Sequence, residues 1–374
     1  MDLDHFRRQF PITETRAYLF AGAISPAARD VRAAADRWSE RWTYDPLLEF
    51  WAFEAELEEL RSEFAKFIRA EPDQIVIADN TSRAAGLAAR LLSTQAREIV
   101  VDDTTYPSSI YPWLVMGRQP IYIPTYQAED PTAELSRQLE QMPPAVVVIS
   151  HVAPLTGYRH DIARLAASVR AQEGLLFVDA AQSTGVLPID VKRDGIDVLV
   201  TTAMKWLLGP PGVAFLYISR DLLEGARLVE FGYLGARVEG EAWPRSELPP
   251  LAEGARRFEP GLPSLPGLCA ATAALRLLAE VGVENVGRQV EALVSRCLAG
   301  LHERGIRVRT PKLATARAGV IAAEHPRAED VATSLRRRAV DVGGYPWGLL
   351  RIDPHAFCVD EDIDRLLEGL DDFA

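Results

Sequence analysis

The chain has 374 residues, 48% of them hydrophobic and 25% charged, and these proportions are ordinary for globular proteins. They exclude a disordered chain, a collagen-like repeat and a coiled coil. The formal net charge of −12 repels phosphate backbones and anionic lipids, so we expect neither nucleic acid nor a membrane surface as a partner. The short basic run Arg336 to Arg338 is typical of the solvated face of a helix.

From about Glu71 onward, short apolar runs alternate with segments of helical spacing. The runs have the length and apolar continuity of strands that are buried on both faces of a sheet. The predicted strands cover 74–78, 98–101, 120–123, 145–149, 175–178, 198–200 and 213–217, and the predicted helices between them cover 83–92, 110–115, 132–141 and 161–173. This order predicts an α/β protein whose large domain has three α/β/α layers and a mainly parallel sheet. The short spacing of the last two strands permits an antiparallel pair.

Residues 236–266 are rich in Pro, Gly and charge, and they predict a long connection over the surface or across a subunit boundary. Beyond it, predicted helices over 268–281, 286–304, 328–338 and 360–370 and strands over 319–323 and 349–352 indicate a smaller α+β C-terminal domain. We therefore expect a large cofactor-binding domain over residues 17–255. Residues 1–16 and 256–374 are expected to form the small domain that completes the substrate site.

Cysteine and histidine usage indicates the compartment and argues against metal chemistry. Cys269, Cys297 and Cys358 form no CxxC pair, and the six histidines offer no pair at metal-ligand spacing, so neither a disulfide framework nor a metal site is expected. The first residues lack an apolar core of signal-peptide length, and no uncharged stretch approaches the length of a membrane span. These features predict a soluble cytoplasmic protein.

The common nucleotide and hydrolase motifs do not occur: there is no GxGxxG after a strand, and no GxxxxGK[ST], GxSxG or HExxH. Three other segments carry chemistry. Asp179 ends an apolar strand at the sheet edge where α/β proteins bind ligands, although a helix-capping Asp is the alternative. Lys205 follows 26 residues later in an apolar setting, which favours attack of its amine on a carbonyl, although most isolated lysines are surface residues.

The third segment is a strand that leads into Thr81 and Ser82 at the start of a helix. Exposed amides and hydroxyls at that position bind a phosphate group, and simple helix capping is the alternative. A phosphate cradle, a carboxylate at a strand end and a lysine in apolar surroundings are together the parts needed to hold pyridoxal phosphate.

The segments 179–191 and 205–212 resemble the class V aminotransferase family of fold type I, which includes cysteine desulfurases, kynureninases and isopenicillin N epimerases. Shorter matches in the family's order extend this resemblance over nearly the whole chain, at 18–23, 106–113, 150–152, 156–157, 257–261, 350–355 and 360–364. The resemblance implies a fold type I enzyme with pyridoxal 5′-phosphate as cofactor. It also implies a homodimer with active sites at the subunit interface.

The resemblance assigns roles around the cofactor ring. Lys205 forms the Schiff base with the cofactor and moves protons at the substrate Cα. Asp179 pairs with the pyridine nitrogen and Gln182 hydrogen-bonds the ring hydroxyl. Tyr106 stacks on the ring face.

The remaining implied roles concern phosphate and substrate. Thr81, Ser82 and Thr202 match phosphate contacts. Arg351 matches the position that clamps the substrate carboxylate, a task suited to a guanidinium, and an interdomain salt bridge is its alternative.

The sequence departs from the family at three places. Met204 stands where the family usually has a His before the lysine, and Leu262 stands where many members have a Thr that reaches the phosphate across the dimer, a role Ser264 is a candidate to fill. The loop over 340–348 lacks the nucleophilic Cys with which desulfurases accept sulfur, so desulfuration by persulfide transfer is not expected.

The predicted function is a pyridoxal-phosphate reaction on an amino acid or related primary amine. Transamination is the first choice because it needs only Lys205 as a proton shuttle. The alternatives are β-elimination or epimerisation, which need a leaving group or a second base, and a catalytically silent binding protein on the same scaffold. Tyr345, Trp347, Trp51 and Phe53 form a candidate aromatic wall for the substrate, with core packing as the alternative use of such residues.

Overall fold

The computed structural model describes residues 1–94, 97–237 and 247–373, within which the chain forms twelve strands and twelve α-helices. The strands are β1 (Ala17–Tyr18), β2 (Ile75–Ala78), β3 (Glu98–Asp102), β4 (Ile121–Ile123), β5 (Ala145–Ser150), β6 (Leu175–Asp179), β7 (Val198–Thr202), β8 (Ala214–Ile218), β9 (Ile321–Glu324), β10 (Val340–Asp341), β11 (Gly343–Tyr345) and β12 (Leu349–Ile352). The helices are α1 (Leu3–Arg8), α2 (Arg29–Tyr44), α3 (Pro46–Ile68), α4 (Thr81–Ser93), α5 (Tyr111–Val115), α6 (Pro131–Leu139), α7 (Ile162–Ala171), α8 (Arg220–Gly225), α9 (Leu265–Val281), α10 (Val283–Glu303), α11 (Ala328–Arg337) and α12 (Asp360–Leu370).

The central sheet has seven strands in the order β2-β8-β7-β6-β5-β3-β4. All pairs from β7 to β4 are parallel, and β8 is antiparallel to both of its neighbours. Residues of β5 and β7 are buried throughout, as expected for strands covered on both faces by helices. The predicted mainly parallel sheet and the antiparallel pair of its last two strands are therefore confirmed.

The direction of the strands determines where the side chains of the candidate site meet. Because β2 and β7 both run antiparallel to β8, their carboxyl ends lie at the same edge, with Ala78 and Thr202 each paired to Ala214. The parallel strand β6 ends at that edge with Asp179, opposite Ser150 at the end of β5. The loops that follow these strands therefore converge on one side of the sheet.

A second, three-stranded antiparallel sheet, β11-β12-β9, forms with α11 and α12 the α+β part near the C-terminus. The short parallel pair of β1 and β10 joins residues near the N-terminus to this part of the chain. Arg336 to Arg338 are exposed at the end of α11, as predicted. Part of the predicted connection over 236–266 lies outside the described residues, and in the rest Ala236 forms an isolated bridge with Leu251.

The N-terminal helices α2 and α3 were not among the predicted elements. Both pack against α9, whose residues are largely buried. No single helix in the described ranges is long and apolar enough to cross a membrane, and α9 and α10 pass such a test of length and composition only as a pair bent by 78°.

Candidate active site

A cavity of about 780 Å³ opens at the carboxyl edge of the central sheet. Its lining includes seven of the eight predicted site residues, namely Thr81, Ser82, Tyr106, Asp179, Thr202, Lys205 and Arg351. Its volume is typical of a site that encloses a small molecule. Gln182 is the predicted residue that does not line it.

Asp179 is a buried carboxylate held by two donors. Oδ1 accepts a hydrogen bond of 3.0 Å from the Ala181 N–H, and Oδ2 accepts one of 2.9 Å from the hydroxyl of Ser109. Burial raises the pKa of Asp179 above its usual 3.8, while these donors and the charge of Lys205 oppose that rise. A buried carboxylate with this support is suited to a cationic partner.

The backbone of Lys205 is fixed by the N-terminal segment of the chain. The Ser25 hydroxyl donates a 2.6 Å hydrogen bond to the Lys205 carbonyl, and the Ser25 N–H donates one of 2.8 Å to the carbonyl of Met204. Burial lowers the pKa of Lys205 below 10.5, against the opposing charges of carboxylates that include Asp179. Its Nζ lies 5.4 Å from the centroid of the Tyr106 ring, so that ring faces the amine.

The start of α4 supplies hydroxyl groups that capping does not require. Asn80 caps the helix, since its Oδ1 accepts 2.9 Å from the Arg83 N–H. The Thr81 hydroxyl has no hydrogen-bond partner among the described residues, and the Ser82 hydroxyl lies 2.9 Å from that of Ser108. The capping alternative is therefore satisfied by Asn80, and Thr81 and Ser82 are available to an anion.

Arg351 lies on β12 and is nearly fully buried. Its Nε is 2.9 Å from Oδ2 of Asp353, and its Nη2 donates 3.1 Å to the carbonyl of Gly22. Within the part of the chain described, Nη1 has no hydrogen-bond partner. The salt bridge considered as an alternative is present, but it occupies only one side of the guanidinium, so the group can still bind a carboxylate.

Gln182 lies behind the cavity and its amide is engaged at both ends. Nε2 donates a 3.0 Å hydrogen bond to the Gly22 carbonyl, and Oε1 accepts one of 2.9 Å from Nε1 of Trp206. The second N–H of the amide has no partner among the described residues. The predicted contact between Gln182 and a ring hydroxyl remains a prediction.

The candidate aromatic wall is divided between two cavities. Tyr345 and Trp347 line the cavity that contains Lys205. Trp51 and Phe53 line a different one of about 770 Å³, so their predicted place beside Tyr345 and Trp347 is wrong within this chain. The reason is that α3 directs its N-terminal half toward residues 233–237 and 252–256, away from the carboxyl edge of the sheet.

Neither a thiol nor an imidazole lines the cavity among the described residues. The nearby His151 follows β5, and burial lowers its pKa to about 3. In the same ranges of the chain, no three or more His, Cys, Asp and Glu side chains are grouped so that they could hold a metal ion.

The residues present fit pyridoxal phosphate. Hydroxyls at a helix N-terminus that are not used for capping suit its phosphate, the buried carboxylate of Asp179 suits a protonated ring nitrogen, and the amine of Lys205 suits its aldehyde. Sequence reasoning missed Ser109 and Ser25, which hold Asp179 and Lys205. Ser109 lies within the matched segment 106–113, which is the one signal that points to it.

Comparison with known proteins identifies relatives along the whole chain. The family model described as aminotransferase class-V matches residues 17–344. The uncharacterized aminotransferase YcbU of Bacillus subtilis (strain 168) is 29% identical over 377 residues, covering 98% of this chain and 97% of its own. A probable cysteine desulfurase of Pyrococcus abyssi (strain GE5 / Orsay) is 27% identical, covering 90% of this chain and 86% of its own.

A solved structure shows the same fold. A mutant of C-DES with glycine covalently linked to its PLP cofactor superposes with a TM-score of 0.90 at 23% identity, covering 98% of this chain and 99% of its own. Curated proteins named kynureninase and isopenicillin N epimerase also match, so the relatives carry names from several reaction classes. The predicted family, fold type I architecture and cofactor are confirmed: the chain belongs to the aminotransferase class-V family, and its cofactor is pyridoxal 5′-phosphate.

Proposed function

We propose that this class V enzyme transfers the amino group of an amino acid or a related primary amine. The observation that supports this proposal best is the position of Lys205, a buried amine in one cavity with Asp179 and Arg351. Transamination needs one group that removes a proton from the substrate carbon and returns it to a neighbouring atom. Nζ of Lys205 is suited to both tasks because its lowered pKa makes the neutral amine easier to reach than in a solvated lysine.

When bound, pyridoxal phosphate supplies an aldehyde for the substrate amine and a ring that accepts electron density. The chain's own residues do the rest. Lys205 would attach the cofactor through its amine, Asp179 would hold a proton on the ring nitrogen, and Tyr106 would pack against the ring. Arg351 orients the substrate by its carboxylate.

The phosphate and ring hydroxyl complete the proposed contacts. Thr81, Ser82 and Thr202 hold the phosphate, and Gln182 uses its remaining N–H toward the ring hydroxyl. These assignments rest on the family resemblance and on the shared cavity, and Gln182 is supported by the resemblance alone.

The lining of the cavity weighs against persulfide transfer. That reaction requires a thiolate to accept sulfur, and no cysteine is among the described lining residues. Cys358, the cysteine nearest to Arg351 in sequence, is buried with its Sγ 3.2 Å from the Tyr18 carbonyl, and burial raises the pKa of its thiol. β-Elimination and epimerisation remain the alternatives to transfer.

We also propose a cytoplasmic homodimer. Large apolar side chains are exposed where α2 ends and α3 begins, as expected of a surface that is covered in an oligomer; they are Trp42, Tyr44, Leu47, Leu48, Phe50 and Trp51. Sedimentation of the purified protein tests the dimer.

The three free cysteines agree with a reducing compartment. We also propose that residues 17–255 form one domain and that residues 1–16 and 256–374 together form the other.

The decisive experiment adds single amino acids to the purified holoprotein without any acceptor. Amino-group transfer predicts stoichiometric conversion of the cofactor to pyridoxamine phosphate, followed by its reversal with a 2-oxo acid. Release of ammonia and an oxo acid would assign the chain to the lyases, and racemised substrate would assign it to the epimerases. A panel with binding but no conversion would support the catalytically silent alternative.

A parallel experiment tests the lysine. Borohydride reduction is expected to fix the cofactor on Lys205, as mapped by peptide mass spectrometry. Lys205→Ala should abolish the visible absorption band, whereas Lys192→Ala should keep it, because Lys192 is a surface residue that pairs with Glu71. A label on another side chain would contradict the proposal.

A further inference from the structure

The rim of the cavity carries a pair of stacked aromatic side chains. The ring centroids of Tyr345 and Trp347 lie 4.8 Å apart, and the two ring planes are inclined by 25°. Both side chains line the cavity that contains Lys205. Trp347 is 58% exposed. An exposed, ordered aromatic pair at the mouth of a cavity is a surface to which an apolar ring can bind.

The hairpin of β11 and β12 holds this pair in fixed register with Arg351. Gly343 pairs with Arg351 and Tyr345 pairs with Leu349, so Tyr345 lies on the same face as Arg351 and two residues further along. Two residues of a strand span about 6.6 Å. An amino acid with an aromatic side chain has a similar reach from its carboxylate to its ring.

Close packing and turn geometry make the hairpin rigid. Gly348, with φ at +79°, forms the turn. A Cβ at Gly344 would lie 2.4 Å from the carbonyl oxygen of Ala328, so the strand sits directly on α11. The aromatic pair is therefore held at a fixed distance from Arg351.

The charges around the cavity disfavour a charged substrate side chain. Its described lining contains two cations, Lys205 and Arg351, and both are engaged in the proposed function. Two further carboxylates line it, but Asp103 accepts backbone N–H groups from the loop after β4, and Asp79 lies 4.0 Å from Arg83. A second carboxylate on the substrate would find no unused cation there.

We propose that the natural substrate is an amino acid with an uncharged aromatic side chain, which stacks on Trp347 and Tyr345 while Arg351 binds its carboxylate. The inference rests on the proposed function of the same site. It adds the class of the side chain, and Trp347 as the residue that selects it.

The test measures binding of carboxylates that lack an amine, so it gives a result whether or not amino transfer occurs. Titration calorimetry of the holoprotein compares 3-phenylpropionate with propionate, glutarate and 4-guanidinobutyrate. Burial of a phenyl ring predicts that 3-phenylpropionate binds at least about tenfold more tightly than propionate. Equal binding of these two, or tightest binding of glutarate or 4-guanidinobutyrate, would overturn the proposal.

Variants then locate the preference. Trp347→Ala should reduce it to less than about threefold, and Trp347→Phe should restore most of it. Tyr122→Ala is the matched control, because Tyr122 is an aromatic residue on β4 that is 48% exposed and does not line the cavity. Retention of the full preference in Trp347→Ala would refute the role of Trp347.

The donor panel separates this inference from the proposed function. A ring preference in binding together with conversion of L-phenylalanine over L-alanine supports both. A ring preference without any conversion contradicts amino transfer alone, and equal conversion of both donors without a ring preference contradicts the substrate class alone.

Discussion

The hydroxyl of Ser109 donates a 2.9 Å hydrogen bond to Oδ2 of Asp179, across 70 positions of sequence and inside a fully buried site. Ser109 ends a short turn that follows Tyr106. The same loop thus covers the amine of Lys205 with an aromatic ring and supports the carboxylate behind it. Two functions of the cavity depend on the placement of this one loop.

Ser109→Ala should weaken cofactor binding. Loss of the donor removes one of the interactions that oppose the burial-raised pKa of Asp179, so its charged form becomes less favourable. Hydrogen bonds to charged groups contribute about 1.5–3 kcal/mol, which predicts a rise of at least about tenfold in the cofactor dissociation constant. Absorbance titration of the apoprotein measures it, and Ser183→Ala, another buried serine whose hydroxyl bonds a backbone carbonyl, is the control. Unchanged affinity in Ser109→Ala would contradict the role of this bond.

Gly22→Ala should impair substrate binding more than turnover. A Cβ at Gly22 would lie 2.6 Å from Nη2 of Arg351 and 2.7 Å from Oδ2 of Asp353, so the guanidinium must move. We expect KM to rise about tenfold or more with a smaller change in kcat, measured by steady-state kinetics. Gly225→Ala, where a Cβ meets open space, should behave as wild type. Equal KM values for both variants would show that the position of Arg351 does not depend on Gly22.

The buried pair of Arg61 and Glu259 should be important for stability. Glu259 accepts 2.8 and 2.9 Å hydrogen bonds from Arg61 and a third of 2.7 Å from the N–H of Ile77, on the edge strand β2. Glu259→Gln removes the buried carboxylate from Arg61 and leaves only the half-exposed Glu58 as its counter-ion, which costs about 3–5 kcal/mol of unfolding free energy. Urea denaturation measures this loss.

Two comparisons make that experiment specific. Arg61→Met combined with Glu259→Gln should recover part of the loss, since no unpaired charge remains buried. Asp364→Asn removes an exposed ion pair with Arg296 and should cost at most about 1 kcal/mol. A Glu259→Gln variant as stable as Asp364→Asn would refute the importance of the buried pair.

His355 should make the protein sensitive to mild acid. The ring centroid lies 5.3 Å from that of Phe357. Nε2 donates a 3.2 Å hydrogen bond to the Trp206 carbonyl, and Nδ1 accepts one of 2.8 Å from the Ala356 N–H. Burial lowers the pKa of His355 to about 4. Between pH 6.5 and 4 the unfolded state therefore binds more protons at this residue, and stability falls as the pH falls through that window.

The pH dependence of the free energy of urea unfolding measures the proton that His355 takes up on unfolding. The lowered pKa predicts a loss of about 3 kcal/mol across the window from this group, and His355→Phe should have a correspondingly smaller slope, even if it is less stable at every pH. Phe357→Leu alters the neighbouring ring without removing a titrating group and should keep the wild-type slope. An unaltered slope in His355→Phe would place the acid sensitivity elsewhere.

Buried strands were predictable because both faces of the central sheet are covered, which makes β5 and β7 continuous apolar runs. The helices α2 and α3 carry the weaker signal of apolar residues that recur three or four positions apart. In α2 these are Val31, Ala34 and Trp38, and exposed aromatic side chains such as Trp42 and Trp51 extend the apolar pattern beyond the buried face, which makes that face hard to recognise from the sequence.

The residues that carry chemistry were predictable from motifs, but their supports were not. Asp179, Lys205 and Arg351 stand in segments that match a family, and the structure brings them into one cavity. Ser25 contacts Lys205 from 180 positions away, and no local pattern indicates such a contact. Only the tertiary fold determines it.

The pairing of Ala17 with Val340 has a consequence for biosynthesis. Gly22, whose carbonyl accepts a hydrogen bond from Arg351, lies four residues after the end of β1, so the substrate clamp joins segments that are 329 positions apart. A ribosome must add the residues between these two partners before they can meet, and β1 lacks its pairing strand β10 until then. Nascent chains truncated before Val340 are accordingly expected to remain without a clamp.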